Sequence, residues 1–256
     1  MSVLAALREV TATRYVTALR EGGSLPGLVE ADDSGLYVAK FRGAGQGSKA
    51  LAAEVISGEL ARAIGLPMPE QVFVEIGRAM GLAEPDPEIQ ELIVASAGEN
   101  LGVDFLPGAA GYSPALAWRP GPQLAADIVW FDALVTNVDR TPRNPNLLLW
   151  HDQLWLIDHG ATLYLQHRGL RPLEQARQPF PQIAEHVLAP FAGSIVDADA
   201  RMATRIHRAL LEAVVALVPE EWFAGEDPAS YVEYLALRLE APRDFVQEAE
   251  DARTGG

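Results

Sequence analysis

Residues 137–144 read Asn-Val-Asp-Arg-Thr-Pro-Arg-Asn, and residues 158–160 read Asp-His-Gly. Two short apolar runs, Leu147–Trp150 and Leu154–Ile157, lie between these motifs and are joined by a polar His-Asp-Gln turn, which is typical of a β-hairpin. A hairpin returns the chain to its starting point. We therefore expect Asp158 to lie close to the end of the first motif.

The order of side chains in these motifs suits phosphoryl transfer from ATP. Asp139 can orient an attacking hydroxyl and accept its proton, while Asn144 and Asp158 hold magnesium against the phosphates. Magnesium prefers hard oxygen ligands and keeps several waters, so two protein ligands are enough. The pattern predicts Asp139 as the catalytic residue and Asn144 and Asp158 as metal ligands.

Upstream of the motifs, Lys40 lies in the strand pattern Tyr37–Phe41. Alternation sends Val38 and Lys40 to one face of the strand and the remaining residues to the other. A lysine among so many apolar neighbours is either a charge that protects a sheet edge or a phosphate ligand. Given the downstream motifs, we favour the phosphate ligand.

A glutamate on the helix that follows is expected to pair with Lys40. This helix is predicted over residues 48–64, between a serine N-cap and a Gly/Pro stop, and it offers two candidates. Glu59 has Arg62 three residues on, a ready pair on the helix surface. Glu54 lies on a side suited to close packing, and we favour it as the partner.

Five strand signals, with the helix after the third, occupy the first hundred residues. The first three are expected to form an antiparallel meander. The strands are predicted at Arg14–Leu19, Leu28–Ala31, Leu36–Phe41, Gln71–Ile76 and Glu91–Ser96.

Gly98–Gly121 is rich in glycine and proline and has weak periodicity. We interpret its beginning as a hinge between two domains, residues 1–98 and residues 99–256. The second domain is predicted to be mainly helical. Its helices are expected over 123–137 and 199–218, after Pro228 and from Pro242.

Composition limits the chemistry and the partners. The 256 residues carry 20 Lys and Arg against 35 Asp and Glu, a net charge of −15, and there is no cysteine. Disulfides and zinc–thiolate sites are excluded, and the negative charge disfavours direct nucleic-acid binding. Because charges interrupt every apolar run and the first residues lack a signal-peptide pattern, we expect no transmembrane segment and a cytoplasmic protein.

The Lys40 strand, the segment Gly43–Ile64, Thr136–Asn146 and Ile157–Gly160 together resemble the HipA-like kinase family. The resemblance implies an α+β, two-lobed protein-kinase-like fold: an N-lobe built from a small antiparallel sheet with one helix, and a mainly helical C-lobe. It also implies an ATP- and Mg²⁺-dependent phosphotransferase in which Lys40 contacts the phosphates. The catalytic loop is similar to that of phosphatidylinositol kinases as well.

Kinase topology places the phosphate-covering loop between the first two strands, at Gly22, Gly23 and Ser24. Glycines there let backbone N–H groups approach phosphate. The richer run Gly43–Gly47 precedes a helix N-terminus, which also suits an anion. We favour residues 22–24.

Three functions remain open from the sequence. The first is transfer of phosphate to a hydroxyl acceptor, either a protein Ser/Thr or a lipid or small-molecule alcohol. The second is a nucleotide-binding regulator without catalysis, and the third is an interaction domain that binds no nucleotide. Three arginines between residues 166 and 178 are a further expectation, since they can guide an anionic acceptor; they are Arg168, Arg171 and Arg177.

Overall fold

A computed structural model describes residues 4–19, 25–45, 47–82, 84–165 and 169–255 of this α+β chain. By contacts between residues, the chain divides into two compact units that alternate along the sequence. The barrel unit contains Ala5–Leu51 and Pro69–Pro107. The helical unit contains Ala52–Met68 and the chain from Gly108 onward.

The strands of the barrel unit close into a barrel in the order β1-β2-β3-β5-β4. The antiparallel sheet expected from the sequence is therefore closed, and its closing pair, β1 with β4, is parallel. The strands are β1 (Arg8–Ala18), β2 (Gly27–Ala31), β3 (Leu36–Lys40), β4 (Gln71–Ile76) and β5 (Gly98–Asp104).

Closure depends on the length of β1. Residues Arg8–Thr11 pair with β4, whereas residues from Ala12 to Ala18 pair with β2. The register shifts twice along the second half, and such bulges bend a strand and increase its twist. Strand β1 thus pairs with β2 and with β4, whereas the first strand of an open meander has only one neighbour.

The barrel core is mainly aliphatic, with Tyr37 and Phe41 also buried in it. Val29, Ala39, Val72 and Val74 are completely buried. In β3 the burial alternates as predicted, with Ala39 inside and its neighbours partly exposed.

The predicted strand at Glu91–Ser96 is wrong, because these residues belong to helix α3 (Pro87–Ala95). Asp86 caps this helix by accepting a hydrogen bond from the amide of Glu88, and proline occupies the first helical position. Ile89 and Ile93, one helical turn apart, pack into the barrel core. The strand lies in β5 instead, inside the segment that the sequence suggested as a hinge. A short helix, α2 (Arg78–Gly81), precedes α3.

Two buried helices form the centre of the helical unit. Helix α1 (Ser48–Ala63) begins in the barrel unit and continues into the helical unit. Helix α4 (Pro122–Leu134) is buried at every residue from Ile128 onward. It ends three residues earlier than predicted, since Thr136 has a left-handed backbone with φ +52°.

The predicted hairpin is confirmed as β7 (Leu147–Trp150) and β8 (Gln153–Leu156), which pair antiparallel. The turn residues His151 and Asp152 both have positive φ, the geometry of the turn that suits the twist of a tight hairpin. A two-residue strand, β6 (Ala110–Gly111), adds to the β7 edge.

The predicted helix over 199–218 is broken. Helix α6 ends at Met202, and His207 starts a new helix by accepting a hydrogen bond from the amide of Leu210. The last two predicted helices are confirmed. The helices after the hairpin are α5 (Pro172–Gln175), α6 (Ile195–Met202), α7 (Arg208–Val215), α8 (Pro228–Leu239) and α9 (Asp244–Thr254), with short 3-10 turns between them.

Among the described residues, no helix has both the length and the apolar character needed to cross a membrane.

Candidate active site

The loop that follows α4 brings Asp139 and Asn144 into direct contact. The Asn144 amide Nδ2 donates to Asp139 Oδ2 at 2.8 Å, and Asn146 Nδ2 approaches the same oxygen at 3.3 Å. The bond from Nδ2 turns the other amide atom of Asn144, the carbonyl Oδ1, away from Asp139. Asn144 is exposed and Asp139 is half-buried, so both reach solvent at the surface of the helical unit.

A tight turn holds the two residues in place. The amide of Thr141 donates to the carbonyl of Asn144, and the Thr141 hydroxyl accepts from the amide of Asn144. The amide of Asp139 donates to Asn137 Oδ1 at 3.1 Å. Backbone and side-chain bonds therefore fix the loop on both sides of Asp139.

The loop is anchored on a buried carboxylate, Asp132 of α4. Asp132 Oδ1 accepts from Asn137 Nδ2 at 3.0 Å, and Oδ2 accepts from Arg140 Nε at 2.5 Å. Neither Asp132 nor Arg140 exposes its side chain. Burial raises the pKa of the Asp132 carboxyl, but Arg140 and a hydrogen bond from His186 outweigh this effect, so the pKa lies well below its ordinary value.

Arg140 also joins the loop to the strand exit that carries Asp158. Its guanidinium donates to the carbonyls of Asn146 and Ile157 and to His159 Nε2, which lies 3.0 Å from Nη2. The amide of Ile157 donates to the carbonyl of Asn146. Asp158 lies between two residues that Arg140 contacts, so the structure places the two sequence motifs side by side, as the hairpin predicted.

Asp158 has a left-handed backbone, with φ +56°. Residues other than glycine rarely adopt this conformation, although aspartate and asparagine tolerate it best. Strained backbone of this kind is often found at functional sites. The turn after Asp158 is fixed by Thr162, whose hydroxyl donates to the carbonyl of His159 at 2.7 Å.

The same threonine connects this turn to helix α1. Its hydroxyl lies 2.6 Å from the Ser57 hydroxyl, and both side chains are completely buried. Glu54 precedes Ser57 by one helical turn and is also completely buried. Glu59, the alternative candidate, forms the predicted ion pair with Arg62, at 3.5 Å.

Lys40 is half-buried at the end of β3, in the barrel unit. Glu54 lies in the part of α1 that belongs to the helical unit. The pairing of Lys40 with Glu54 stays a prediction.

The two candidate phosphate loops differ in what the structure describes. Gly22, Gly23 and Ser24 lie outside the described residues. In the alternative run, the Gly43 amide donates to Ser96 Oγ, and the amides of Ala44 and Gly47 donate to backbone carbonyls nearby. These three amides are therefore not free to bind a phosphate in this conformation.

Two of the three arginines proposed to guide an acceptor are paired with acidic side chains. Arg171 lies 3.3 Å from Glu174, and Arg177 lies 3.3 Å from Glu240. Arg168 falls outside the described residues. These ion pairs weaken the local positive field that the sequence suggested.

Two residues of the site were not singled out from the sequence. Asp132 carries one of the charges that interrupt the apolar runs, and a carboxylate inside a buried helix is itself a signal, because such a group needs charged or hydrogen-bonding partners. His186, its third partner, lies 54 residues away in the chain. No sequence motif has a spacing that would link Asp132 to His186.

The described residues contain no cluster of three or more His, Cys, Asp or Glu side chains able to hold a metal. A site made of one amide oxygen and one carboxylate is compatible with this finding. Such a pair suits a hard cation that retains much of its water shell.

The sequence from residue 13 to residue 241 matches the family described as HipA-like kinase. The chain belongs to the HipA-like kinase family. Among solved structures, this HipA-like kinase is similar to the Helicobacter pylori proinflammatory kinase CtkA, with a TM-score of 0.59 and 12% identity over 97% of this chain and 98% of that chain. No curated protein matches the sequence.

Family and fold agree on the class of protein. The likeness to CtkA shows that the barrel and helical units belong to a kinase-like fold. Together with the family match, it supports a phosphotransferase of the kinase type.

Proposed function

We propose that this HipA-like kinase transfers the γ-phosphoryl group of ATP to the hydroxyl of a protein serine or threonine. One observation carries the proposal. The Asp139–Asn144 hydrogen bond of 2.8 Å belongs to a loop that Arg140 ties to the residues flanking Asp158. This linkage supports the proposal, because phosphoryl transfer needs three oxygen-bearing side chains and Arg140 ties the loop that carries Asp139 and Asn144 to the turn that carries Asp158.

Asp139 is the proposed catalytic aspartate. Its Oδ2 is held by Asn144 and Asn146, whereas Oδ1 accepts no hydrogen bond within the described residues. Oδ1 is therefore the atom that orients the acceptor hydroxyl and takes its proton. Asp139 is only half-buried, so a side chain from another molecule can reach its exposed part.

Asn144 and Asp158 are the proposed magnesium ligands. The hydrogen bond from Asn144 Nδ2 to Asp139 presents the amide Oδ1 to a cation, and Asp158 supplies a carboxylate from the adjoining turn. Magnesium held by these two residues would neutralise the negative charge of the phosphates. Asn144 thus has two tasks: its nitrogen fixes Asp139, and its oxygen binds the metal.

Lys40, Glu54 and the loop at Gly22, Gly23 and Ser24 are the proposed nucleotide-binding residues. Lys40 contacts the phosphates of ATP, Glu54 orients its ammonium group, and the glycine backbone covers the phosphates. The burial of Glu54 supports this choice over Glu59, which already pairs with Arg62.

The test is transfer of ³²P from γ-labelled ATP and Mg²⁺, with the purified chain and myelin basic protein as a generic Ser/Thr acceptor. Wild-type protein should label the acceptor or itself, and Asp139→Asn should lose this activity. Asp152→Asn, at the exposed hairpin turn, is the matched control and should keep it.

Each other outcome selects an alternative. Binding of Mg-ATP without turnover in wild type would favour a nucleotide-binding regulator. ADP release that depends on an added lipid or small alcohol, with no labelled protein, would replace the Ser/Thr acceptor. Equal activity of wild type and Asp139→Asn would remove Asp139 from its role.

A further inference from the structure

A histidine remote in sequence completes the anchor of the catalytic loop. His186 Nε2 lies 2.8 Å from Asp132 Oδ2, and His186 exposes only 4% of its surface. Asp132 thereby has three side-chain partners, since Asn137 binds Oδ1 and Arg140 shares Oδ2. The carboxylate is completely buried, so each partner matters for its stability.

The hydrogen bonds fix the tautomer of His186. The amide of Leu188 donates to His186 Nδ1 at 3.0 Å, so Nδ1 carries no proton. Nε2 therefore carries the proton and donates it to Asp132. The ring is a neutral donor with both nitrogens engaged, which fixes its orientation.

A continuous path leads from His186 to Asp139. Asp132 Oδ1 holds the amide nitrogen of Asn137, and the amide oxygen of Asn137 accepts the backbone N–H of Asp139. A second connection runs through the backbone, because the amide of Val187 donates to the carbonyl of Arg140. The segment around His186 thus touches the anchor and the loop at separate points.

We propose that His186 is a positioning residue for phosphoryl transfer, holding Asp132 so that Asn137 and Arg140 place the Asp139 carboxylate. This inference rests on the proposed function of Asp139. Without the imidazole, Asp132 keeps only two of its three partners, and its carboxylate can rotate. A displacement of about 1 Å at a reacting group costs about 100-fold in rate.

The experiment compares His186→Met, which removes the donor, with His186→Gln, whose amide nitrogen restores a donor at similar reach. Ile183→Ala is the control, because Ile183 is buried in the 3-10 turn that precedes His186 and its hydrogen bond to His186 joins backbone atoms, which alanine keeps. The first readout is kcat and KM for ATP, measured by ³²P transfer to myelin basic protein. The second is hydrogen exchange of residues 137–141.

We expect kcat to fall about 10- to 100-fold in His186→Met, with KM for ATP within about twofold of wild type. His186→Gln should recover most of the loss. Ile183→Ala, although less stable, should keep the wild-type kcat at a temperature where it is folded. Exchange of residues 137–141 should accelerate in His186→Met and not in Ile183→Ala.

If His186 had a purely structural role, His186→Met and Ile183→Ala would show the same kcat and the same exchange of residues 137–141. This result would overturn the proposal. If His186→Met does not fold, His186→Gln carries the test: the restored amide donor should keep kcat and the exchange of residues 137–141 close to wild type, and a fall in kcat of about 10-fold or more would overturn the proposal. If the wild-type chain transfers no phosphate, the proposed function fails. The exchange data still decide whether His186 orders the loop.

Discussion

Arg140 and Asp132 form an ion pair that is closed to solvent, with Nε 2.5 Å from Oδ2 and no exposed surface on either side chain. The guanidinium also reaches two backbone carbonyls and a histidine, so one side chain joins α4, the loop at residues 137–146 and the end of β8. Removing it would leave a buried charge without its counter-ion.

We therefore predict that Arg140→Met lowers the free energy of unfolding by about 3–5 kcal/mol, the cost of breaking a buried pair from one side. Urea unfolding followed by circular dichroism measures the change. Arg143→Met is the control on the same loop, where the side chain is exposed, and it should stay within about 0.5 kcal/mol of wild type. Equal effects of the two variants would contradict the importance given to the buried pair.

Asp158→Asn should remove magnesium-dependent nucleotide binding while leaving the backbone intact. Asparagine tolerates the left-handed conformation that Asp158 adopts at φ +56°, so the loss would come from the missing negative charge. Wild-type protein at 100 times the Kd for Mg-ATP should gain about 2.7 kcal/mol of stability, and Asp158→Asn should gain almost none. Thermal unfolding with and without Mg-ATP is the measurement.

Asp152→Asn serves as the control for this prediction, because Asp152 also has a positive φ, of 59°, but lies at the exposed hairpin turn. A full stabilisation of Asp158→Asn by Mg-ATP would mean that the magnesium ligands lie elsewhere.

Acid should destabilise the helical unit in two steps. Burial lowers the pKa of His186 below its ordinary 6.5 despite the bond to Asp132, and Arg140 lowers it further. Below pH 6.5 His186 is protonated in the unfolded chain but stays neutral in the folded chain. The free energy of unfolding therefore falls as pH falls, by up to about 1.4 kcal/mol per pH unit. The lowered pKa of Asp132 adds a second loss that begins near its ordinary value of 3.8.

Urea unfolding between pH 8 and pH 5 tests the first step, with His186→Gln as the comparison. Glutamine does not titrate, so the variant should have a flatter stability curve in this range. Parallel curves for the two proteins would show that another group is responsible.

Gly102→Ala should destabilise the barrel unit. A Cβ at Gly102 would lie 2.4 Å from Val74 Cγ2 and 2.9 Å from Val72 Cγ2, and both valines are completely buried. Overpacking of this kind costs about 1–3 kcal/mol. Gly77→Ala, in the same unit, has open space around the new methyl group and should change little. The measurement is the urea midpoint of Gly102→Ala compared with that of Gly77→Ala.

Local signals explain which parts of the fold were predictable. The hairpin follows from two apolar runs of strand length around a polar turn, and the loop after α4 follows from Pro142 and Pro145, which a continuing helix cannot contain. Residues 91–96 also form a short apolar run, which fits a strand or a buried helix equally well. The N-cap Asp86 and the first helical residue Pro87 are start signals that favour a helix over residues 87–95.

The site was predictable where its residues are close in sequence. Asp139 and Asn144 are five residues apart, and the hairpin accounts for Asp158. The contact of Asp132 with His186 spans 54 residues and depends on how the helices pack, which no local pattern encodes. Lys40, Glu54 and the division of the chain into lobes at residue 98 stay predictions.

The strand order of the barrel has a consequence during synthesis. Strand β5 lies between β3 and β4, so the ring closes only after Asp104 has left the ribosome. A nascent chain that stops before Gly98 exposes the hydrogen-bonding edges of β3 and β4. Unpaired edges of this kind pair readily with other chains. Premature termination in this interval should therefore yield aggregates rather than a small folded product.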